Sequence, residues 1–179
     1  CASSIESLVI PEGVEEISEY AFYGCANLRS VTLPDSLISV GRSAFYGCKQ
    51  LTSVNFPEGL QEIGPYGFYG CAALQELALP DSLQSVSEYA FSGCTGLNRV
   101  ALGAGVRSVG QRAFYGCEKL SEIVFSEGLE SIGDRAFYKC NGLTSVVLPD
   151  SLRTIGNYAF FSCASLSEVD LGSGLQSIG

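Results

Sequence analysis

The sequence predicts an α/β solenoid of about eight 23-residue units. Two observations indicate it: cysteine recurs every 23 residues without insertion or deletion, and the apolar residues between the cysteines recur with the same period. A fixed short period is typical of arrays in which each unit packs only on its neighbours. The cysteine ladder comprises Cys25, Cys48, Cys71, Cys94, Cys117, Cys140 and Cys163. We expect residues 1–179 to form a single solenoid domain, with a partial unit at each end, as in a piece of a longer protein.

A first strand is predicted early in each unit. In the unit that begins at Cys25, Val31 and Leu33 alternate with polar neighbours, which is the pattern of a strand with one buried face. Pro34 then closes the strand, because proline has no N–H for a ladder. The same pattern recurs near residues 8–10, 54–56, 77–79, 100–102, 123–125, 146–148 and 169–171. We expect these segments to stack in one parallel sheet.

A second, shorter strand follows, marked by an apolar pair such as Leu37 and Val40. A corner at Gly41 and at its equivalents ends this strand. Ser18 and Ser87 stand at that position in two units, so a positive φ is not expected to be required there.

One helical turn is predicted to complete each unit. Small Ala44, bulky Phe45 and trailing Gly47 suit a short helix with a glycine terminator, although Lys139 and Ser162 replace the glycine in two units. The recurring phenylalanine should form the centre of the core.

Composition argues against several classes of function. The net charge is −9 and the ten basic residues are scattered, which disfavours nucleic acid and anionic lipid as partners. No apolar run approaches the ~18 residues of a membrane span, so no membrane insertion is expected. The chain contains no histidine, which excludes Ser–His and Cys–His nucleophile pairs. We therefore predict that the protein is not an enzyme and has no catalytic residues, cofactor or metal.

The cysteine ladder has three interpretations. Buried free thiols are favoured, because each cysteine follows the core phenylalanine and neither histidine nor a Cys-x-x-Cys pair is present. Disulfides between adjacent units, with Cα atoms near 5 Å, and a stacked metal site are the alternatives. Cys1 lies one residue out of register and is interpreted as a displaced member of the ladder. Acidic corners such as Asp35 and Asp150 are explained by turn chemistry, with shared Ca²⁺ ligation as the alternative.

The complete unit reads Leu-x-x-Val-x-Leu-Pro-x-x-Leu-x-x-Ile-Gly-x-x-Ala-Phe-x-x-Cys and covers Ile5 to Gly179. This frame resembles the BspA-like, or Treponema-type, leucine-rich repeat, in which the equivalents of Pro34, Gly41 and Cys48 occupy the same places. The resemblance implies a right-handed coil with a parallel sheet on its concave side. It also implies an extracellular or cell-surface protein that adheres to host or matrix proteins.

Two surfaces are candidates for binding. The concave strand face is predicted to present Thr32, Asn55, Ala78, Arg99, Ala101, Val124, Val147 and Asp170. This face is either a binding surface, as in many solenoids, or an unused solvent face. A tyrosine stripe is either an interface or half-buried packing between coils, and it consists of Tyr23, Tyr46, Tyr69, Tyr115 and Tyr138.

We expect a non-enzymatic, extracellular protein-binding or adhesion module whose partner is a host or matrix protein. The alternative is a structural spacer or self-assembling element. The units at the two ends carry no polar caps, so copies of the chain could stack end to end into filaments.

Overall fold

The computed structural model describes residues 4–179, which form a coil with two short strands in each turn. The first strands of the turns are β1 (Ser7–Val9), β3 (Ser30–Thr32), β5 (Ser53–Val54), β7 (Glu76–Ala78), β9 (Arg99–Ala101), β11 (Glu122–Val124), β13 (Ser145–Val147) and β15 (Glu168–Asp170). The second strands are β2 (Glu16–Ile17), β4 (Ser39–Val40), β6 (Glu62–Ile63), β8 (Ser85–Val86), β10 (Ser108–Val109), β12 (Ser131–Ile132), β14 (Thr154–Ile155) and β16 (Ser177–Ile178).

All strand pairs are parallel, and their register confirms the 23-residue period. Ser7 pairs with Ser30, for example, and Ser108 pairs with Ser131. The short second strand predicted from the sequence is present in every turn. The eight first strands are separated by seven steps of this spacing, so the coil makes about seven turns and the prediction of eight units was too high.

The predicted helical turn was wrong, since residues 4–179 contain no helix and the segment is a series of tight turns. Two left-handed residues interrupt the segment, as shown by Ser43 with φ 52° and Gly47 with φ 69°. A right-handed helix cannot pass through such positions. The class is therefore a parallel β-solenoid rather than an α/β solenoid.

The turn segment instead forms a third hydrogen-bonded ladder along the coil, which we call the turn ladder. The N–H groups of Phe45 and Gly47 donate to the carbonyls of Gly67 and Tyr69 in the next turn, at 2.8 and 2.7 Å. The residues between them bond within the segment, as Tyr46 N–H does to Ser43 O at 3.2 Å. Alternate N–H groups thus join neighbouring turns where helical bonds were expected, and all are satisfied.

The two glycine positions serve different purposes. The Gly47 column is left-handed as predicted, and Lys139 and Ser162 adopt the same conformation with φ of 60° and 59°. The Gly41 column is not left-handed. A Cβ at Gly41 would lie 2.7 Å from the backbone nitrogen of Glu19 in the preceding turn, closer than real Cβ atoms come. Glycine is needed there because the two backbones nearly touch.

The core follows the predicted phenylalanine column. Phe45, Phe68, Phe91, Phe114 and Phe137 are fully buried. Their rings stack on one another with centroids 5.0–5.6 Å apart. The leucines and valines of both strands surround this stack, so one continuous apolar core runs along the coil.

The prediction of one continuous first-strand sheet was wrong. These strands form three sheets, β1-β3-β5, β7-β9-β11 and β13-β15. The second strands form two, β2-β4-β6 and β8-β10-β12-β14-β16. Both columns are interrupted between the turn of β5 and β6 and the turn of β7 and β8. We call this junction the seam.

Phenylalanine explains the breaks in the first-strand column. Phe56 and Phe125 occupy the position after the first strand that other turns fill with Ile or Leu, and a break follows each of them. In four turns the residue at this position donates its N–H to the next turn at 2.8–3.0 Å: Ile10, Leu79, Leu102 and Leu148. Within residues 4–179, neither phenylalanine makes this bond, nor does Leu33, which precedes Phe56 by one turn. The Phe56 ring instead lies edge-on against Phe68, at 5.4 Å.

Ser87 explains why the second-strand column also breaks at the seam. It stands at the position that six glycines occupy in other turns. In each of those turns a backbone nitrogen of the preceding turn lies only 2.6–2.8 Å from a Cβ built on the glycine. Ser87 carries such a Cβ, so its turn must stand away from the preceding one. Ser92, Ala90 and Glu88 still accept turn-ladder bonds across the seam, at 2.8–3.1 Å, and hold the coil together.

Candidate functional site

The first-strand face is the outward side of the first-strand column, and it carries the residues predicted from the sequence. Thr32, Asn55, Ala78, Arg99, Val124, Val147 and Asp170 are exposed, and Ala101 is half-buried. Val9, Val124 and Val147 expose 72%, 46% and 67% of their surface, so the face has apolar as well as polar patches. Val31 and its equivalents on the opposite side of the strands point into the core, as strand alternation requires.

Four of the predicted residues lie together in one depression of about 490 Å³ at the seam: Asn55, Ala78, Arg99 and Ala101. Val54 and Leu77 contribute apolar surface, and Glu76 contributes a carboxylate. The depression forms where β5 and β7 fail to pair. The guanidinium of Arg99 lies 3.4 Å from the Glu122 carboxylate, and both side chains are half exposed. Such a pair adds little to stability and leaves Arg99 available to a ligand.

Val147 and Asp170 line a second depression, of about 480 Å³, at the break beside Phe125. Thr32 and Val124 line neither depression. The structure therefore divides the predicted face into two separate concavities.

The acidic corners join successive turns. The Asp150 carboxylate accepts bonds from the N–H and hydroxyl of Ser173 at 2.7 and 2.8 Å, and Asp81 accepts the N–H of Ala104 at 2.7 Å. These bonds lower the pKa of the Asp150 carboxyl, with a smaller contribution from Arg153. Turn chemistry thus accounts for these acids, and residues 4–179 hold no group of three potential metal ligands among His, Cys, Asp and Glu.

The cysteine ladder is a column of buried thiols with a bonding role that sequence reasoning missed. Cys48, Cys71, Cys94, Cys117, Cys140 and Cys163 are free and buried. Each thiol donates to the carbonyl of the core phenylalanine one turn earlier, as Cys94 Sγ does to Phe68 O at 3.3 Å. Burial raises the pKa of Cys48 to about 11 and that of Cys94 to about 12. Thiolates are the reactive form, so these positions are chemically quiet.

Cys25 differs from the rest of the ladder because it takes part in a disulfide. The prediction that Cys1 is a displaced ladder residue concerns a residue outside the described range.

The tyrosine stripe is a column of stacked rings that are half-buried except for the exposed Tyr23. Tyr23, Tyr46 and Tyr69 stack at 4.7 Å, and Tyr115 and Tyr138 stack at 4.8 Å. Packing between coils, one of the two predicted interpretations, therefore describes most of the stripe. The sequence did not predict that basic side chains lie over tyrosine rings, as Arg112 does over Tyr89 with 5.3 Å to the centroid, because that contact depends on the left-handed turn.

Residues 4–179 contain no helix with the length and apolar character of a membrane span.

Comparison with protein families gives a match to the BspA type leucine rich repeat region, in six copies, over residues 1–106 and 61–179. Comparison with curated proteins gives no match.

Several solved structures share the fold. A leucine-rich repeat protein of Treponema pallidum is 33% identical, with a TM-score of 0.84 over 91% of this chain and 78% of that one. One from Eubacterium ventriosum is 28% identical, with a TM-score of 0.82 over 88% and 42%. One from Bacteroides ovatus is 26% identical, with a TM-score of 0.67 over 97% and 62%. This chain thus spans less than two thirds of the Eubacterium and Bacteroides proteins.

Proposed function

Since the chain belongs to the BspA-type leucine-rich repeat family, whose repeats generally serve protein interaction, we propose that it is a non-enzymatic protein-binding module. Its place of action is the cell surface or the extracellular space, and its partner is a host or matrix protein. The observation that carries this proposal is the depression at the seam, lined by Asn55, Arg99 and Glu76.

The depression supports binding because the repeat is broken there. Asn55 stands where most other turns carry Val, Ala or Thr, and Arg99 is a basic residue at a position that other turns fill with Ser or Glu. Both are exposed. Glu76 adds an acceptor beside these donors, while Val54 and Leu77 lie at the base. Apolar surface with a few convergent polar groups is the usual composition of a ligand site.

Binding of the chain to immobilised basement-membrane extract, measured by surface plasmon resonance, tests the proposal. Arg99→Glu should weaken binding at least tenfold, because it reverses the charge in the depression. Lys49→Glu is the matched control, since Lys49 is exposed in the loop after Cys48, away from the first strands. Equal losses for the two variants would show non-specific charge attraction, and absence of binding by the unaltered chain would contradict adhesion to matrix.

Self-assembly is the second candidate function. Val169 and Ile178 in the last two strands, and Leu171 directly after β15, expose 47%, 59% and 38% of their surface. They border an apolar depression of about 320 Å³ that another turn of the same shape would fill. Sedimentation of the isolated 179-residue chain should then show association that rises with concentration and is suppressed by Ile178→Lys. A monomer at millimolar concentration would contradict this alternative.

A further inference from the structure

The tyrosine stripe has a gap. Along it, each turn contributes one ring at the position after the core phenylalanine, except the turn in which Ser92 stands there. Tyr69 precedes this position by one turn, and Tyr115 follows it by one turn. No other described turn from Tyr23 to Phe161 lacks a ring at this position.

The gap has the dimensions of one aromatic ring. Neighbouring rings of the stripe stack at 4.7–4.8 Å. The turn ladder is intact across these turns, and their core phenylalanine rings are 5.5 and 5.6 Å apart. Two such steps would set Tyr69 and Tyr115 roughly 9–11 Å apart. A ring inserted between them would stack on both faces at the separation that aromatic pairs prefer. A depression of about 350 Å³ lies here, with Tyr69, Ser92 and Tyr115 among its lining residues.

The base of the gap needs no polar partner. Ser92 is only 2% exposed, and its hydroxyl donates to the Tyr115 carbonyl at 3.3 Å. An inserted ring therefore has aromatic faces on both sides and a satisfied hydroxyl beneath it.

The rim of the gap is basic. Arg112 and Arg135 line the same depression. The Arg112 guanidinium bonds to the Tyr89 hydroxyl, and Arg135 lies 5.0 Å above the Tyr158 ring. Among residues 4–179 the single ion pair is formed elsewhere, on the first-strand face, so neither arginine has a carboxylate in contact. Because the chain as a whole carries a net charge of −9, two unneutralised cations beside one gap favour a ligand with carboxylates next to its ring.

We propose that the gap at Ser92 is a second binding site, which takes one aromatic side chain flanked by acidic residues from a protein partner. The site lies away from the first-strand face and does not depend on the function proposed for that face. A nucleic-acid base is disfavoured as the occupant, because a strand needs a continuous basic track for its phosphates. Here two arginines flank a single depression in a strongly acidic chain, and they do not extend into such a track.

The experiment is a proton NMR titration of the peptide acetyl-Glu-Tyr-Glu-amide with the whole chain. Insertion between Tyr69 and Tyr115 should shift the peptide ring protons upfield, because they would lie over two aromatic faces. Acetyl-Glu-Leu-Glu-amide controls for charge attraction and should bind at least tenfold more weakly. Equal binding of the leucine peptide, or binding without the upfield shift, would overturn the proposal. A uridine tetranucleotide that gave the same ring shift with higher affinity would also overturn it, in favour of nucleic acid.

Substitutions at and away from the gap test whether the peptide binds there. Ser92→Tyr should fill the gap and abolish the ring shift, whereas Ser43→Tyr should leave it unchanged. Ser43 is the matched control because it is also a buried serine, at a left-handed position where Tyr66 and Tyr89 stand in other turns. Should Ser92→Tyr fail to fold, Tyr115→Ser serves instead, since loss of one wall should reduce the shift by about half. Persistence of the full shift in either folded variant would refute the assignment.

Discussion

Replacement of Phe91 by alanine is the most direct test of the aromatic core. The Phe91 side chain is fully buried, and its ring stacks between Phe68 at 5.5 Å and Phe114 at 5.6 Å. Truncation of a buried phenylalanine costs about 3–5 kcal/mol through lost transfer energy and the cavity left behind. Each lost aromatic pair adds about 0.5–1.5 kcal/mol beyond burial. Because Phe91 has two stacked partners, we expect its replacement to lower the free energy of unfolding by an amount near the upper end of about 3–5 kcal/mol.

Urea denaturation followed by circular dichroism measures the loss as a change in the free energy of unfolding. Phe22→Ala is the matched comparison, because Phe22 is half-buried and stacks on Phe45 alone, at 5.3 Å. Its loss should be clearly smaller. Asn55→Ala, on the exposed first-strand face, should change stability by no more than about 0.5 kcal/mol.

The reasoning is refuted if Phe91→Ala costs no more than Asn55→Ala. Equal losses at Phe91 and Phe22 would refute the narrower statement that stacking on both faces sets the magnitude.

Three further predictions concern the buried thiol of Cys94, Ser87 at the seam and the carboxylate of Asp150. Because burial raises the pKa of Cys94 from its ordinary 9.0 to about 12, iodoacetamide at pH 8 should label it only after unfolding. Stability should also fall as pH rises above about 9, where only the unfolded chain loses thiol protons. Ser87→Gly should let β6 and β8 pair and slow their amide exchange about fivefold to tenfold, for one hydrogen bond worth about 1 kcal/mol. Because hydrogen bonds from Ser173 lower the pKa of Asp150 below its ordinary 3.8, they stabilise the fold above that pH and less as pH falls through the folded value. Asp150→Asn should therefore reduce the difference in urea stability between pH 5 and pH 3.

Each of these has a contrary result. Labelling of native protein at the rate of a free thiol would place Cys94 outside the core. Unchanged exchange in Ser87→Gly would show that the serine does not hold the turns apart. An unchanged acid response in Asp150→Asn would assign that response to other carboxylates.

Much of the fold could be predicted because its period is exact. Val31 and Leu33, at alternate positions, identify a strand whatever its neighbours do, and the 23-residue shift then places every equivalent residue in register. The phenylalanine core and the buried thiols follow from the same stacking.

The sequence-based predictions failed where hydrogen bonds and contacts between turns override the conformational preference of the local sequence. Ala44 to Cys48 has the composition of a helical turn, but the N–H groups of Phe45 and Gly47 donate to carbonyls in the next turn. The thiol bonds to phenylalanine carbonyls were missed for the same reason, since their partners are 26 residues apart. The breaks in the two strand columns at the seam depend on the ring of Phe56 and the Cβ of Ser87. A prediction made from the consensus of all repeats does not include such substitutions in single turns.

The sites were predicted less completely than the fold. The first-strand face could be located because side chains alternate along a strand. Its division into two concavities could not, because that depends on where the ladder breaks. The sequence shows that Ser92 stands at a position where other turns carry Tyr or Phe. The ring-sized gap beside it could not be predicted, because it follows from the stacking distances of the neighbouring tyrosine rings.

The seam also has a mechanical consequence. On either side of it, neighbouring turns are joined by the turn ladder and by one or two strand ladders, whereas across it the turn ladder remains while both strand ladders are interrupted. The coil is therefore two stiff rods with a joint of lower bending rigidity between them. Asn55 and Arg99 stand on opposite sides of that joint. A partner that binds both residues would connect the two rods, so the coil would bend less with the partner bound than without it.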